Sequence, residues 1–126
     1  MKILDLVLKG KWFDLIQSGE KKEEYREIKP YWAQRLFLTG DYMAVLKPHE
    51  YKAGTEDYAK CVKRLSQPNG YSDHARFDRY THVRFHRGYT NTTMLFKCEG
   101  ITIGHGNPAW GAPEEEVFII KLGERV

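Results

Sequence analysis

The residues of this 126-residue chain best placed to do chemistry lie in one block, Gly19-Glu20-Lys21-Lys22-Glu23-Glu24-Tyr25-Arg26. It sets a glycine, a lysine, a glutamate and an arginine in a G-x-K-x-x-E-x-R frame. Arginine offers a planar fork that binds oxyanions through two parallel hydrogen bonds and stacks on rings, whereas lysine is a compact, mobile point charge. In an extended segment Glu24 and Arg26, spaced i,i+2, share one face. Glu24 then holds Arg26, whose remaining donors face a phosphate or a base, and Lys21 projects its ammonium toward the same opening. The competing reading is a ladder of surface ion pairs worth about 0–1 kcal/mol.

The flanking residues make the block a strand between two helices. Trp12-Phe13-Asp14-Leu15-Ile16 reads as a short helix over 11–17 that Ser18-Gly19 ends. Pro30 suits the first turn of a second helix over about 30–38. Residues 21–28 between them are the predicted motif strand.

A second cationic run lies between His74 and Arg87, where Arg76, Arg79, Arg84 and Arg87 accompany His74, His82 and His86 against Asp73 and Asp78. A solvated basic surface and a phosphate-facing patch both fit it. Single-stranded RNA is read by stacking bases on aromatic rings or arginine planes. Trp12, Tyr31, Trp32, Tyr89 and Trp110 are the ring candidates. Trp12, beside Leu15 and Ile16, and Trp32, one turn from Leu36, are assigned to the core. Tyr25 and Trp110 are expected at the surface, the latter in a Gly- and Pro-rich loop.

His82 and His86 stand i,i+4, but on a strand that spacing separates them by about 13 Å, too far to share one zinc. Cys98 and His105 form no recognised ligand spacing. No metal and no cofactor is expected.

Composition points to one globular domain over 1–126: 41% hydrophobic and 13% aromatic residues argue against disorder. No apolar run approaches the ~20 residues of a membrane helix, so no membrane association is expected. Met1 to Lys9, apolar but broken by Asp5, reads as a first strand over 3–8 and not as a signal peptide. Two cysteines, Cys61 and Cys98, are too few for a disulfide framework and suit a cytoplasmic setting. The net charge of +3 is compatible with nucleic acid without demanding it.

Further along, Tyr42-Met43-Ala44-Val45-Leu46 reads as a buried strand. A third helix starts near Thr55, with Tyr58, Val62 and Leu65 on its apolar side, and Pro68-Asn69-Gly70 stops it. Val83 and Phe85 alternate with His82, Arg84 and His86, a half-buried strand. Met94, Phe96 and Cys98 share one face of the next strand, and Gly100 marks a bulge, since Ile101 and Ile103 have the opposite parity. Residues 104–116 are loop, and Val117 to Leu122 a central strand. The sum is an α+β fold with five to six mostly antiparallel strands, curled into a small barrel with about three helices outside.

The motif resembles the signature of the ASCH domain, a family related to the PUA RNA-binding fold, with Gly19, Lys21, Glu24 and Arg26 at its four positions. Lys9-Gly10-Lys11-Trp12, Tyr31-Trp32, His82 to Tyr89, Trp110-Gly111 and Phe118 to Gly123 are similar to further blocks of small single-domain members of bacterial or phage type. The resemblance implies a PUA-like mixed or antiparallel barrel, with about 48–80 a variable helical insertion. It implies binding of RNA or a nucleotide-derived ligand in a cleft lined by the motif, through Lys21, Glu24, Tyr25, Arg26 and Trp110, with Arg84 and Arg87 on phosphates. The alternative it implies is an amidohydrolase acting on an acylated nucleoside such as N4-acetylcytidine. Lys21, Glu24 and Glu99 would then be the catalytic set. Glu24 stands where those hydrolases carry threonine, and the downstream glutamate has no clean counterpart here.

Overall fold

Leu4, Leu6 and Leu8 alternate with Ile3, Asp5 and Val7, and the backbone follows that period of two: β1 spans Ile3–Leu8 with the three leucines buried. The structure is a computed structural model that describes residues 1–52, 56–68 and 74–126. Four further strands follow: β2 (Glu23–Arg26), β3 (His82–Arg87), β4 (Thr93–Gly104) and β5 (Val117–Arg125). They form one mixed sheet in the order β1-β3-β4-β5-β2, curled as a half-barrel. β1 runs parallel to β3, whereas β3–β4 and β4–β5 are antiparallel.

The chain divides into two compact units, residues 1–25 with 79–126 and residues 26–78. In the first, α1 (Gly10–Gln17) buries Phe13 and Ile16, and Gly19, at φ +85°, carries the chain out of it. The core is Leu4, Leu6, Leu8, Val83, Phe85, Met94 and Phe96, extended by the near-continuous apolar run Val117 to Ile120 of β5. The Phe85 and Phe96 rings meet edge to face at 5.9 Å. Alternation turns His82, Arg84 and His86 to the other face of β3. The bulge predicted at Gly100 is present: the β4–β5 register shifts on both sides of Cys98, and Ile101 rather than Gly100 points into the core.

In the second unit, α2 (Pro30–Leu36) buries Ala33 and Leu36, with Pro30 at its first turn. The predicted strand over 42–46 is not one. Thr39–Asp41 (α3) leads into a π-helical turn at Tyr42–Leu46 and a 3-10 segment at Lys47–Lys52. Tyr42 and Leu46 are buried while Met43 and Ala44 are exposed, a helical period that five apolar letters do not reveal. α4 (Glu56–Leu65) buries Tyr58 and Val62 as predicted. The expected cap Thr55 and the stop at Asn69-Gly70 lie outside the described residues. Phe37 stacks on Phe77 with centroids 4.3 Å apart, and Arg76 grips Asp41 through Nε at 2.9 Å and Nη2 at 3.3 Å. No described helix is long and apolar enough to cross a membrane.

Candidate ligand-binding site

The motif strand is shorter than predicted. Residues 21 and 22 precede β2, which ends at Arg26. Lys21 is not the mobile ammonium expected of it: only 2% of its surface is exposed, and Glu24 beside it is 4% exposed. A backbone bond from Lys21 N–H to the Leu15 carbonyl ties the residue to the end of α1. Its Nζ then stands 3.0 Å from Glu24 Oε1 and donates to the Trp110 carbonyl. Aromatic faces complete the enclosure, with the Trp12 centroid 4.7 Å and the Tyr25 centroid 5.0 Å from Nζ. A carboxylate, a carbonyl and two π faces all complement a cation. Lys11 Nζ lies over the same Trp12 ring at 4.6 Å.

Tyr25, expected at the surface, is buried instead. Its hydroxyl donates to Glu23 Oε1 at 2.8 Å and accepts from Asn107 N–H at 3.0 Å. Burial pushes the phenol up to about 12; the Asn107 N–H opposes the rise and the Glu23 bond adds to it. Trp110 is half-buried rather than exposed, packed with Ala112 against Tyr25, Val117 and Ile119. Among the described residues the exposed rings are Tyr31, at 59%, and Tyr89, at 100%. Trp12 and Trp32, assigned to the core, are both half-buried.

The segment around Trp110 is held as one piece. Pro108–Trp110 is a 3-10 turn capped by Asn107, whose side chain accepts from Ala109 N–H and whose carbonyl accepts from Trp110 and Ala112 N–H. His105 Nδ1 lies 2.9 Å from the Glu114 carbonyl. Two glycines let this segment close on the rings. A Cβ on Gly106 would stand 2.6 Å from the Tyr25 ring, and one on Gly111 2.8 Å from the Trp12 ring. Lys21, Glu24, Tyr25, Trp12 and the 105–112 segment therefore form one site within the first unit.

Arg26 belongs to the second unit, where its guanidinium lies 4.8 Å from the Trp32 ring centroid and Arg35 lies 5.1 Å from the same ring. Arg84 and Arg87 stand on β3. Arg84 binds Asp5 with both arms, at 2.6 and 3.2 Å, and His86 Nε2 shares the same Asp5 oxygen at 2.8 Å. The Arg84 hydrogen bond, seconded by His86, holds the Asp5 carboxyl below the usual range against the opposing effect of partial burial. Arg87 pairs with Asp14 of α1 at 3.2–3.3 Å. Both arginine side chains are more than 40% exposed. The Asp5 grip therefore orients the Arg84 fork while leaving its other N–H groups to solvent.

Glu99, the second carboxylate of the enzymatic reading, is exposed on β4 and lines a groove that holds none of the motif residues. Asp5 and Asn107 are the functional neighbours that motif reasoning passed over. Asp5 was legible as the one charge in an apolar strand; Asn107, a turn residue before Pro108, gave no signal of its tie to Tyr25. No group of three or more His, Cys, Asp or Glu among the described residues could hold a metal ion. No protein-family model, no curated protein and no solved structure matches the chain.

Proposed function

We propose that this chain is an ASCH-type, PUA-like protein of the cytoplasm that binds RNA or a nucleotide-derived ligand. Arg84 takes phosphate on the polar face of β3 and Arg87 at the strand's end, where Asp14 of α1 holds it, and the motif box of Lys21, Glu24, Tyr25 and Trp110 shapes the site around the ligand's remainder. The observation that carries this reading is the Asp5–Arg84 fork. A guanidinium already oriented by a carboxylate loses little freedom when its outer donors meet a phosphate oxygen. His86 on the same face adds a ring nitrogen 2.8 Å from the same Asp5 oxygen, and Arg87 adds a second guanidinium at the strand's end.

The motif lysine fits a binding role better than a chemical one. As a base or nucleophile Lys21 would have to leave the Glu24 carboxylate and the Trp110 carbonyl that hold its Nζ. Its carbonyl partner is a different matter. A ligand oxygen that displaces the Trp110 carbonyl would find the ammonium in place.

The test is the affinity of a short single-stranded RNA as salt is varied. Each phosphate contact contributes a slope of about 0.7 in log affinity against log salt. Replacing both Arg84 and Arg87 by alanine is expected to flatten that slope by about 1.4. Affinity indifferent to salt and to both arginines would refute the phosphate face. A chromatographic assay of N4-acetylcytidine decides the catalytic alternative. No turnover is expected, and turnover present in the wild type but lost in Lys21→Arg would replace binding with hydrolysis.

A further inference from the structure

A groove of about 640 Å³ opens in the first unit where β4 bulges around Cys98, beside the start of β3. Bulges re-aim side chains, and here Lys97 and Glu99, on either side of Cys98, are both exposed at the groove. Arg79, Tyr80 and Glu124 also line it, and none of the motif residues does.

The lining divides into three chemistries. Tyr80 supplies a half-buried ring, with Lys2 Nζ 5.6 Å from its centroid. Arg79 and Lys97 supply positive charge; Lys97 touches Glu124 only loosely, at 3.6 Å between side chains 59% and 84% exposed. Glu99 supplies a carboxylate seated against Gly123, where an added Cβ would come within 3.0 Å of Oε1. That carboxylate makes no hydrogen bond or salt bridge among the described residues. The Cys98 thiol beneath is pushed up by burial, against a bond from the Gly100 N–H, which leaves it a neutral part of the floor.

A ring wall, a cationic end and an unpaired carboxylate select among nucleobases. A carboxylate accepts two parallel hydrogen bonds only from two adjacent donors. Guanine presents such a pair on its Watson–Crick edge, N1–H beside the 2-amino group. Adenine and cytosine place a ring acceptor next to the amino group, and uracil sets its N–H between two carbonyls. Each of these turns a lone pair toward the carboxylate.

We propose that this groove binds a guanosine monophosphate moiety, with Glu99 reading the base edge, Tyr80 stacking on the ring, and Arg79 and Lys97 holding the phosphate. This site is additional to the motif box and does not depend on it. The moiety can be a free nucleotide or a guanosine within single-stranded RNA.

The test is an NMR titration of the isotope-labelled protein with the 5′-monophosphates of guanosine, adenosine, cytidine and uridine. Guanosine monophosphate is expected to shift the amides of Tyr80, Lys97, Glu99 and Gly123 and to bind at least about fivefold more tightly than the other three, as a bidentate base contact implies. Glu99→Gln, on an exposed side chain, should erase the preference, and Tyr80→Ala should weaken all four. Glu114→Gln, exposed and outside the groove, should change nothing. Equal affinities, or a preference that survives Glu99→Gln, would overturn the assignment. So would shifts confined to residues 21–25, which would still support the motif site. In a final arm, a short RNA with one central guanosine competes with the nucleotide. Tighter binding of the RNA names RNA as the source, and equal or weaker binding names the free nucleotide; both uphold the guanine site.

Discussion

Replacing Lys21 by methionine tests the motif at its centre, because methionine keeps much of the side-chain volume and removes only the charge and its donors. Glu24, 4% exposed, then loses the ammonium 3.0 Å away, and the Trp110 carbonyl loses its donor. Removing one partner of a buried ion pair costs about 3–5 kcal/mol, because the other is left buried and uncompensated. With an unfolding entropy of about 2.1 cal/mol/K per residue, that corresponds to a Tm lower by roughly 11–19 °C for a chain of this length. Urea unfolding followed by circular dichroism measures it, and an unchanged m value would place the loss in stability rather than in the denatured state. The companion variant Lys21→Met/Glu24→Leu separates charge from packing. Replacing both members of a buried pair by apolar groups is often close to neutral, so the double variant should regain most of the loss. A single variant within about 1 kcal/mol of wild type, or a double variant no better than the single, would refute the account of Lys21 as a buried latch.

Two further expectations follow from local geometry. Gly111, at φ +94° with the Trp12 ring 2.8 Å from an added Cβ, should tolerate alanine worse than Gly19, at φ +85° with nothing within 4 Å. The strain of a left-handed residue, about 1–2 kcal/mol, is common to both, so a larger loss at Gly111 in thermal unfolding isolates the ring contact. Asp5, whose carboxyl is held below its ordinary 3.8 chiefly by Arg84, contributes stability that is complete above that value and is lost as pH falls through the lower folded one. The Tm gap between wild type and Asp5→Asn should therefore narrow only in acid, and a gap that persists unchanged to the lowest pH would refute the pairing.

Much of the sheet was legible in the letters. Val83 and Phe85 alternate with polar residues in a way that only a half-buried strand explains, and the parity change at Gly100 forecast the bulge that now frames the groove. The run at 42–46 misled because five apolar residues carry no period of their own; burial at Tyr42 and Leu46 appears only once neighbours surround them. Lys21 was misplaced for a different reason. A lysine reads as a solvated charge, and its burial depends on partners from three places in the chain: Glu24, the Trp12 ring and a carbonyl 89 residues away. Tyr25 went wrong with it, since both are enclosed by the same 105–112 segment. Long-range enclosure of this kind leaves no trace in local spacing.

The parallel β1–β3 pair has a consequence for the order in which the molecule assembles. Ile3 lies opposite His82, whereas Phe85 lies opposite Met94 in the neighbouring hairpin. By the logarithmic growth of loop-closure entropy, bringing β1 to β3 costs roughly 2 kcal/mol more than closing the hairpin. During synthesis β1 is thus made well before β3 yet is among the last of these strands to find its place. Residues 26–78, continuous in sequence, can collapse while it waits, and in doing so they shorten the loop that β1 must close. Until β3 emerges, the leucines of β1 are an apolar segment without a sheet. Pulse-labelled hydrogen exchange during refolding should find the β3–β4 amides protected before those of β1, and simultaneous protection would mean that the two closures are a single event.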